Sequence, residues 1–418
     1  MKPVKALLLG AGDRGMRAYG DFALKNPQML QITAVAEPDN EKRRRMKEDH
    51  NIQDDLVFTS WEDAFVKLPP VEAVIIATQD KMHIGPILRA MKENLHILCE
   101  KPIVNTLEEC HSVEKAAAGF NKVFMVAHVL KYTPFFSRLK ELLDKGRIGR
   151  LIGIDLIENV GHIHISHSFV RGNWRNTTES SPMILAKSCH DTDMLAWLAG
   201  SPCVSLSSYG ALNYFKEENA PKGAPKRCLD GCPAMNSCPY HVSKIYLGTN
   251  IGWPVSVITT DLSLNGRMKA LEEGPYGRCV FYCDNDVVDH QIASFSFANG
   301  VTANFTMSGF TMVTHRTITL FGTTGEITAD MEDRTITVKD FSTRNIESIK
   351  IAVPIGGHGG GDAAFTADFV ACVRGAGGLG RNMVKDSFES HYMSIAAEAS
   401  RLENGKMVKL EDFRASSR

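Results

Sequence analysis

Short apolar runs alternate with stretches of helical periodicity over the first 130 residues of the chain. Continuous apolar runs bounded by turn residues are typical of strands that are buried on both faces. Five such strands are predicted, at residues 4–9, 30–36, 73–77, 96–99 and 123–126, with helices at 15–25 and 85–93. Strands and helices at this spacing predict βαβ units and a doubly wound parallel sheet of the Rossmann type, an α/β domain.

The pattern changes after residue 150, where apolar and polar positions alternate in steps of two. Strands are predicted at 151–158, 287–297, 302–307, 317–321 and 335–338, hairpin turns at 298–300 and 323–325, and helices at about 182–198 and 387–402. We expect a second, α+β domain whose large, mostly antiparallel sheet is open on one face. The expected division is a first domain at 1–130 and a second at 131–418, with a cysteine-containing insertion at about 215–250.

Composition agrees with two globular domains and excludes several classes of protein. The chain has 418 residues, of which 44% are hydrophobic and 23% charged, and its net charge is -1. Without a basic excess, we expect neither nucleic acid nor an anionic membrane as partner. No apolar stretch approaches the roughly 18 residues of a membrane span, and the N-terminus lacks a signal-peptide pattern, so a cytoplasmic location is expected.

A glycine motif follows the first predicted strand and opens the first predicted helix. It reads Gly10-Ala11-Gly12-Asp13-Arg14-Gly15, the pattern G-x-G-x-x-G. Such glycines let the backbone approach a pyrophosphate, which the positive end of the helix dipole attracts. Glu37 ends the second strand, where a carboxylate accepts hydrogen bonds from adenosine ribose. The cofactor is therefore predicted to be NAD, with NADP kept open because arginines at 43–45 could reach a 2′-phosphate.

These residues resemble the glucose–fructose oxidoreductase / inositol dehydrogenase (Gfo/Idh/MocA) family. The resemblance also includes Ala36-Glu37-Pro38-Asp39, Ala77-Thr78-Gln79-Asp80 with His83, Glu100-Lys101-Pro102, His190-Asp191-Thr192-Asp193, Phe297-Ala298-Asn299-Gly300 and Gly322-Thr323-Thr324-Gly325-Glu326. It implies an NAD(P)-binding Rossmann domain at 1–130 and a substrate-binding and oligomerisation domain at 131–418, whose open sheet often forms oligomer contacts. It also implies hydride transfer to or from a carbohydrate carbon. It places Thr78, His83, Glu100 and Lys101 at the cofactor, and Lys101 and His190 beside the substrate hydroxyl.

The chemistry of alcohol oxidation calls for the same residue types. A lysine or histidine can take the hydroxyl proton, and a cation can stabilise the developing alkoxide. The alternative for Lys101 is a strand-end lysine paired with Glu100. The family commonly has an aspartate four residues before the helix histidine, where this chain has Ala186 followed by Lys187. Lys187 and His190 are three residues apart and are predicted to share one helix face, so Lys187 is predicted either to join the catalytic site or to pair with an outside carboxylate, with a surface lysine as the alternative.

Other polar and aromatic residues could line a sugar pocket, which needs hydrogen-bonding groups beside an aromatic face. His162, His164 and His167 are predicted to alternate around a strand end, followed by Arg171 and Trp174. The candidate substrate residues are Tyr132, His164, Arg171, Trp174, Asp191 and His358. The alternative for residues 162–174 is an edge strand with solvated histidines and a packed Trp174. The alternative for His358 is that it caps a mobile glycine-rich loop at 356–362.

Three cysteines and a histidine cluster in the Pro- and Gly-rich insertion. Cys228, Cys232, Cys238 and His241 have ligand types that suit a structural Zn²⁺ site, with Cys279 and Cys283 as alternative fourth ligands. The spacing is not that of standard zinc knuckles. A loop with free or disulfide-linked cysteines therefore stays an alternative.

Three functions are compatible with the sequence. The first is an NAD(P)-dependent dehydrogenase or reductase acting on a CH–OH group of a sugar, polyol or sugar derivative. The second is an NAD-dependent glycosidase that works by transient oxidation and elimination. The third is a non-catalytic sensor that binds the dinucleotide. A homodimer or homotetramer is expected, because an uncovered sheet face tends to be buried against another copy.

Overall fold

A parallel sheet forms the N-terminal part of the computed structural model, which describes residues 2–352, 354 and 356–416. Its strands are β1 (Val4–Leu9), β2 (Leu30–Ala36), β3 (Val57–Phe58), β4 (Ala73–Ile76), β5 (His96–Cys99) and β6 (Phe124–Val126). All pairings are parallel, in the order β3-β2-β1-β4-β5-β6. The strand order reverses between β1 and β4, where doubly wound sheets bind ligands at the carboxyl ends of the strands.

The helices cover both sheets. They are α1 (Asp21–Lys25), α2 (Asn40–His50), α3 (Trp61–Val66), α4 (Ile84–Lys92), α5 (Leu107–Ala117), α6 (Pro134–Asp144), α7 (His162–His164), α8 (Met183–Ala186), α9 (Cys189–Ala199), α10 (Val242–Tyr246), α11 (Val255–Ile258), α12 (Leu264–Glu273), α13 (Gly361–Val373), α14 (Val384–Leu402) and α15 (Leu410–Ala415). Two π-helical turns, Arg14–Gly20 and Ile165–Arg171, precede α1 and follow α7. Side-chain caps fix several starts, as at α2, where Asp39 accepts from two backbone N–H groups.

The second sheet is mixed and mostly antiparallel. Its strands are β7 (Leu151–Asn159), β8 (Cys203–Ala211), β9 (His290–Phe297), β10 (Thr302–Ser308), β11 (His315–Gly322), β12 (Gly325–Asp330), β13 (Thr335–Asp340), β14 (Ile346–Lys350) and β15 (Val408–Lys409). They run in the order β14-β13-β12-β11-β7-β10-β9-β8-β15, and only the β7–β10 pair is parallel within the described residues. Helices α9 and α14 pack on the inner face, while the outer face exposes Tyr209 and Ile292.

A late part of the chain returns to the parallel sheet. Phe365 and Phe369 of α13 are fully buried in the same apolar cluster as Leu8 and Ile75 of the parallel sheet. Helix α13 therefore covers the parallel sheet although it follows the second sheet in sequence. Along the described chain, every helix is too short or too polar to cross a bilayer.

The predicted fold class is confirmed, while several local predictions were wrong. The helix predicted at 182–198 is interrupted between α8 and α9, because the backbone leaves the helical path at Ser188. The histidines at 162–167 lie in α7 and the π-helical turn, not around a strand end. Strands β3 and β15 were missed because each has two residues, and β14 was missed because this edge strand has no buried residue.

Candidate active site

The glycine loop after β1 has the shape of a pyrophosphate cradle. A side chain at Gly10 would place its Cβ 2.5 Å from the Ala77 carbonyl oxygen, and one at Gly15 would lie 2.1 Å from the Gly10 oxygen. A Cβ at Gly12 would meet nothing within 4 Å, so the space beside Gly12 is open. Asp13 turns outward to Arg17, at 3.1 Å. The loop residues therefore fit a dinucleotide.

Glu37 lies beside this loop at the end of β2. Its Oε2 accepts from the Ala11 N–H at 2.6 Å and its Oε1 from the Asp39 N–H at 2.9 Å, and the residue is buried. These bonds fix the carboxylate while leaving lone pairs for ribose hydroxyls. Arg43 donates to the backbone oxygens of Glu37 and Pro38, so it lies at the same loop, whereas Arg44 pairs with glutamates of its own helix.

Two further predicted cofactor residues connect the ends of β4 and β5. His83 is buried, and its ring nitrogens lie 2.7 Å from the Pro102 oxygen and 3.1 Å from the Thr78 oxygen. His83 therefore holds the two loops in position. The Thr78 hydroxyl is buried without a hydrogen-bond partner among the described residues, which leaves it available to a bound group.

Lys101 follows Glu100 at the end of β5 and points toward the interruption between α8 and α9. Its Nζ donates to the Ala186 backbone oxygen at 2.6 Å. The family commonly has an aspartate at the position of Ala186. In this chain the lysine therefore donates its hydrogen bond to a backbone carbonyl there, and not to a carboxylate. The alternative pairing with Glu100 is not formed, because Glu100 instead accepts from Arg14 and Tyr19 at 2.7 and 2.6 Å.

His190 lies in the first turn of α9 and is buried. Neither ring nitrogen has a hydrogen-bond partner in the described part of the chain, and Nδ1 is fully enclosed. Burial, followed by the positive charge of Lys101, holds the pKa of His190 well below its usual value. A neutral, unpartnered imidazole beside a lysine is the arrangement that a substrate hydroxyl would complete.

Lys187 does not share a helix face with His190, because the helix is interrupted between them. Its Nζ lies 2.8 Å from Glu158 Oε1, and Arg316 lies 2.7 Å from both Glu158 and Asp191. All four charged groups are buried or nearly so. Burial lowers the pKa of Lys187, while Glu158 opposes that shift. Lys187 and the predicted substrate residue Asp191 are therefore both engaged in a neutral four-charge cluster.

A second ionic network lies between the glycine loop and α13. Arg14 donates two hydrogen bonds to Asp362, at 2.8 and 2.9 Å, and one to Glu100. His358 Nδ1 is 3.0 Å from Asp362, and its ring centroid is 5.8 Å from that of His190. Hydrogen bonds and charge interactions with His358 and Arg14 hold the pKa of Asp362 well below its usual value, against the effect of burial. The network brings His358 next to His190.

Of the remaining substrate candidates, His164 lies within the electrostatic reach of Lys101. Burial, and then the charge of Lys187, hold the pKa of His164 well below its usual value, and Lys101 adds to the effect. The indole N–H of Trp174 donates to Asp80 at 3.1 Å. The structure places Tyr132 against α13, where its hydroxyl donates to Asp368 at 2.7 Å.

Arg171 and the cysteine insertion form a separate cluster. Arg171 is fully buried and donates to the backbone oxygens of Arg278 and Tyr240. Both ring nitrogens of His241 are engaged, by Ser243 and by the Cys228 backbone oxygen. Across the described ranges, no group of three or more Cys, His, Asp or Glu is arranged to hold a metal. Cys228, Cys232, Cys238 and His241 thus do not form the predicted zinc site there.

Sequence reasoning missed Glu158 and Arg316, which are direct cross-strand neighbours on β7 and β11. A signal for both was present. Each lies on the same face of its strand as buried apolar residues, as Glu158 does with Leu156, two residues before it. A charge at an inward position of an alternating strand must be paired, so it points to a buried cluster.

Comparisons with known proteins agree with this geometry. Residues 4–128 match the "Oxidoreductase family, NAD-binding Rossmann fold" (GFO_IDH_MocA), and residues 136–328 match the GFO/IDH/MocA C-terminal domain. YteT of Bacillus subtilis (strain 168), named as an oxidoreductase without a stated substrate, is 25% identical over 323 residues, covering 73% of this chain and 74% of YteT.

Two other similarities are informative. The 2,7-anhydro-N-acetylneuraminate hydratase of Mediterraneibacter gnavus is 26% identical over 200 residues, which cover 48% of this chain and 50% of that protein. A solved levoglucosan dehydrogenase, in complex with NADH and levoglucosan, has the same fold with a TM-score of 0.72 and 17% identity, covering 98% of this chain and 100% of that chain. The predicted resemblance is confirmed: the chain belongs to the Gfo/Idh/MocA family of NAD-binding oxidoreductases.

Proposed function

We propose that the protein oxidises or reduces a CH–OH group of a sugar, polyol or sugar derivative with NAD as cofactor. The observation that carries this proposal is a buried His190 without a hydrogen-bond partner among the described residues, within the electrostatic reach of Lys101. The relationship to a levoglucosan dehydrogenase fold supports a carbohydrate substrate. The bound nicotinamide would accept or supply the hydride.

In this proposal the two side chains divide the handling of the hydroxyl group. Burial keeps His190 neutral, so one ring nitrogen has a lone pair that accepts the hydroxyl proton. The Lys101 ammonium donates a hydrogen bond to the same oxygen and stabilises its developing negative charge. The Ala186 carbonyl accepts a second hydrogen bond from the ammonium and so orients the lysine. In the reducing direction the same groups return the proton.

The test is a panel of sugars, polyols and glycosides with NAD⁺ and NADP⁺, following absorbance at about 340 nm together with product analysis. Lys101→Met should bind NAD normally but lose turnover by roughly 10²–10³, as expected when a donor that stabilises the developing negative charge on oxygen is removed. His190→Ala should also lose turnover, and the losses should not add in the double variant.

Lys81→Met is the matched control, because Lys81 is an exposed lysine whose Nζ also donates to a backbone oxygen, that of Thr178 at 2.7 Å. Its turnover should be unchanged. Near-normal turnover of Lys101→Met, with NAD binding verified by fluorescence, would contradict the proposed role of the lysine.

A second candidate is a reaction without net redox change, in which transient oxidation permits elimination or hydration. The similarity to a hydratase favours this possibility, as does the backbone carbonyl of Ala186 in place of a catalytic carboxylate. The panel separates the two functions. A dehydrogenase accumulates NADH in proportion to product, whereas the second reaction forms product while net NADH stays near zero.

A further inference from the structure

Trp253 lies where the segment between β8 and β9 meets the residues that follow β7. Its ring centroid is 4.9 Å from that of His164 and 5.5 Å from that of His167, with ring planes at 76° and 77°. His167 is itself fixed, because it stacks on Tyr276 at 4.6 Å and contacts the Tyr246 hydroxyl at 2.9 Å. Trp253 is thus held against a rigid aromatic group.

The indole of Trp253 is nevertheless open to solvent. It is 45% exposed, whereas the other three tryptophans, Trp61, Trp174 and Trp197, are partly buried. Both neighbouring histidine rings lie edge-on to it, and no other aromatic ring is stacked on it among the described residues. A large apolar face is therefore exposed immediately beside a polar site.

His164 connects this face to the catalytic pair. Neither of its ring nitrogens has a hydrogen-bond partner in the part of the chain described, and its ring centroid lies 5.8 Å from that of Phe169 and 4.9 Å from that of Trp253. The positive charges of Lys187 and Lys101 reach it, and together with burial they keep it neutral. A neutral imidazole offers one donor and one acceptor, which suits a hydroxyl group.

We propose that Trp253 is a specificity-determining residue that stacks on the C–H face of a cyclic sugar or cyclitol, while His164 binds a hydroxyl of the same ring. This inference rests on the proposed function and adds the substrate class. A ring presents a flat apolar face to an indole, with its hydroxyls directed to the edge. An open-chain polyol has no such face and loses more rotational freedom on binding. The segment between β8 and β9 would then select rings over open chains.

The experiment compares wild type with Trp253→Ala and Trp253→Phe, using glucose, myo-inositol and sorbitol as probes. Stacking energies of aromatic groups correspond to about 3- to 10-fold in affinity. We expect Trp253→Ala to raise KM for the cyclic probes by about that factor with kcat nearly unchanged, and to leave sorbitol unaffected. Trp253→Phe should retain part of the preference. Trp197→Phe is the control, because Trp197 packs on Lys140 and does not contact His164.

The outcomes separate this inference from the proposed function. An unchanged KM for the cyclic probes, or an equal change for sorbitol, would overturn the role of Trp253 while leaving the oxidoreductase proposal intact. If wild type turns over none of the probes, calorimetric binding of the same three compounds to the NAD-loaded protein replaces KM. Loss of cyclic binding in Trp253→Ala would then support the inference although the proposed reaction had failed, and no binding to wild type would refute it.

Discussion

Replacing Lys187 with methionine tests whether this lysine stabilises the fold or serves the substrate. Its Nζ lies 2.8 Å from Glu158 Oε1, and the Glu158 side chain is completely buried. The other cation of the cluster, Arg316, also binds Asp191. Lys187→Met therefore leaves two buried carboxylates with a single guanidinium.

The magnitude follows from the burial of these groups. Removing one partner of a buried ion pair costs about 3–5 kcal/mol, because the other charge stays buried without compensation. Arg316 remains 2.7 Å from Glu158, so we expect the lower end of that range, ~3 kcal/mol in the free energy of unfolding. This is a change of roughly 150-fold in the equilibrium constant. The double variant Lys187→Met/Glu158→Met should recover most of the loss, since Arg316 then serves Asp191 alone.

The assay is urea unfolding followed by circular dichroism and tryptophan fluorescence, with the free energy extrapolated to water. Lys145→Met is the control, because Lys145 pairs with Glu141 at the surface, at 2.5 Å, and its loss should barely change the free energy of unfolding. A similarly small loss for Lys187→Met, or a double variant as unstable as the sum of the two single variants, would refute the structural role. Lys187 would then regain its place as a substrate residue.

Cofactor preference, acid stability and assembly give three more tests. Glu37→Ala should weaken NAD binding and reduce the ratio of NAD affinity to NADP affinity, measured by titrating both cofactors. Tighter binding of NADP than of NAD by the wild-type protein would contradict the prediction that NAD is the cofactor. Burial lowers the pKa of His391 to about 3 from an unfolded value near ~6.5. Above the pKa of His391 in the unfolded chain, its neutral form costs the folded protein nothing. As pH falls from that value toward the lower pKa in the folded protein, the free energy of unfolding decreases by ~1.4 kcal/mol per pH unit. His391→Gln should flatten that slope in urea titrations between about pH 7 and pH 5. On the outer sheet face, Tyr209 and Ile292 are cross-strand neighbours and are 55% and 51% exposed. We therefore expect a homodimer or homotetramer, and Ile292→Lys should weaken this assembly. A monomer in light scattering of the wild-type protein would refute the expectation.

The parallel sheet could be predicted because burial on both faces leaves a direct trace in the sequence. Every residue of β1 except Lys5 is buried, so the strand reads as one apolar run. The second sheet could be predicted where one face is buried, as in β9, which alternates along its length. Strand β8 was not predicted, since its small polar residues give weak alternation although it lies inside the sheet.

A long-range ion pair explains why the partners of Arg14 could not be predicted from the sequence. The motif placed Arg14 in the cofactor loop, and the structure retains it there. Its guanidinium, however, pairs with Asp362, which lies 348 positions later in the chain. Local periodicity carries no information about such a partner, because the pairing depends on how α13 packs against the parallel sheet.

The interruption at Ser188 shows most clearly where sequence reasoning reaches its limit. Periodicity from 182 to 198 predicts one helix, because a single turn of irregular backbone barely disturbs a 3.6-residue pattern. The interruption is maintained by distant groups: Lys101 binds the freed Ala186 carbonyl, and Glu158 draws Lys187 away from His190. A continuous helix would have used that carbonyl within its own backbone and left Lys101 without this acceptor. The position of the candidate catalytic lysine therefore depends on a local irregularity that only the tertiary structure specifies.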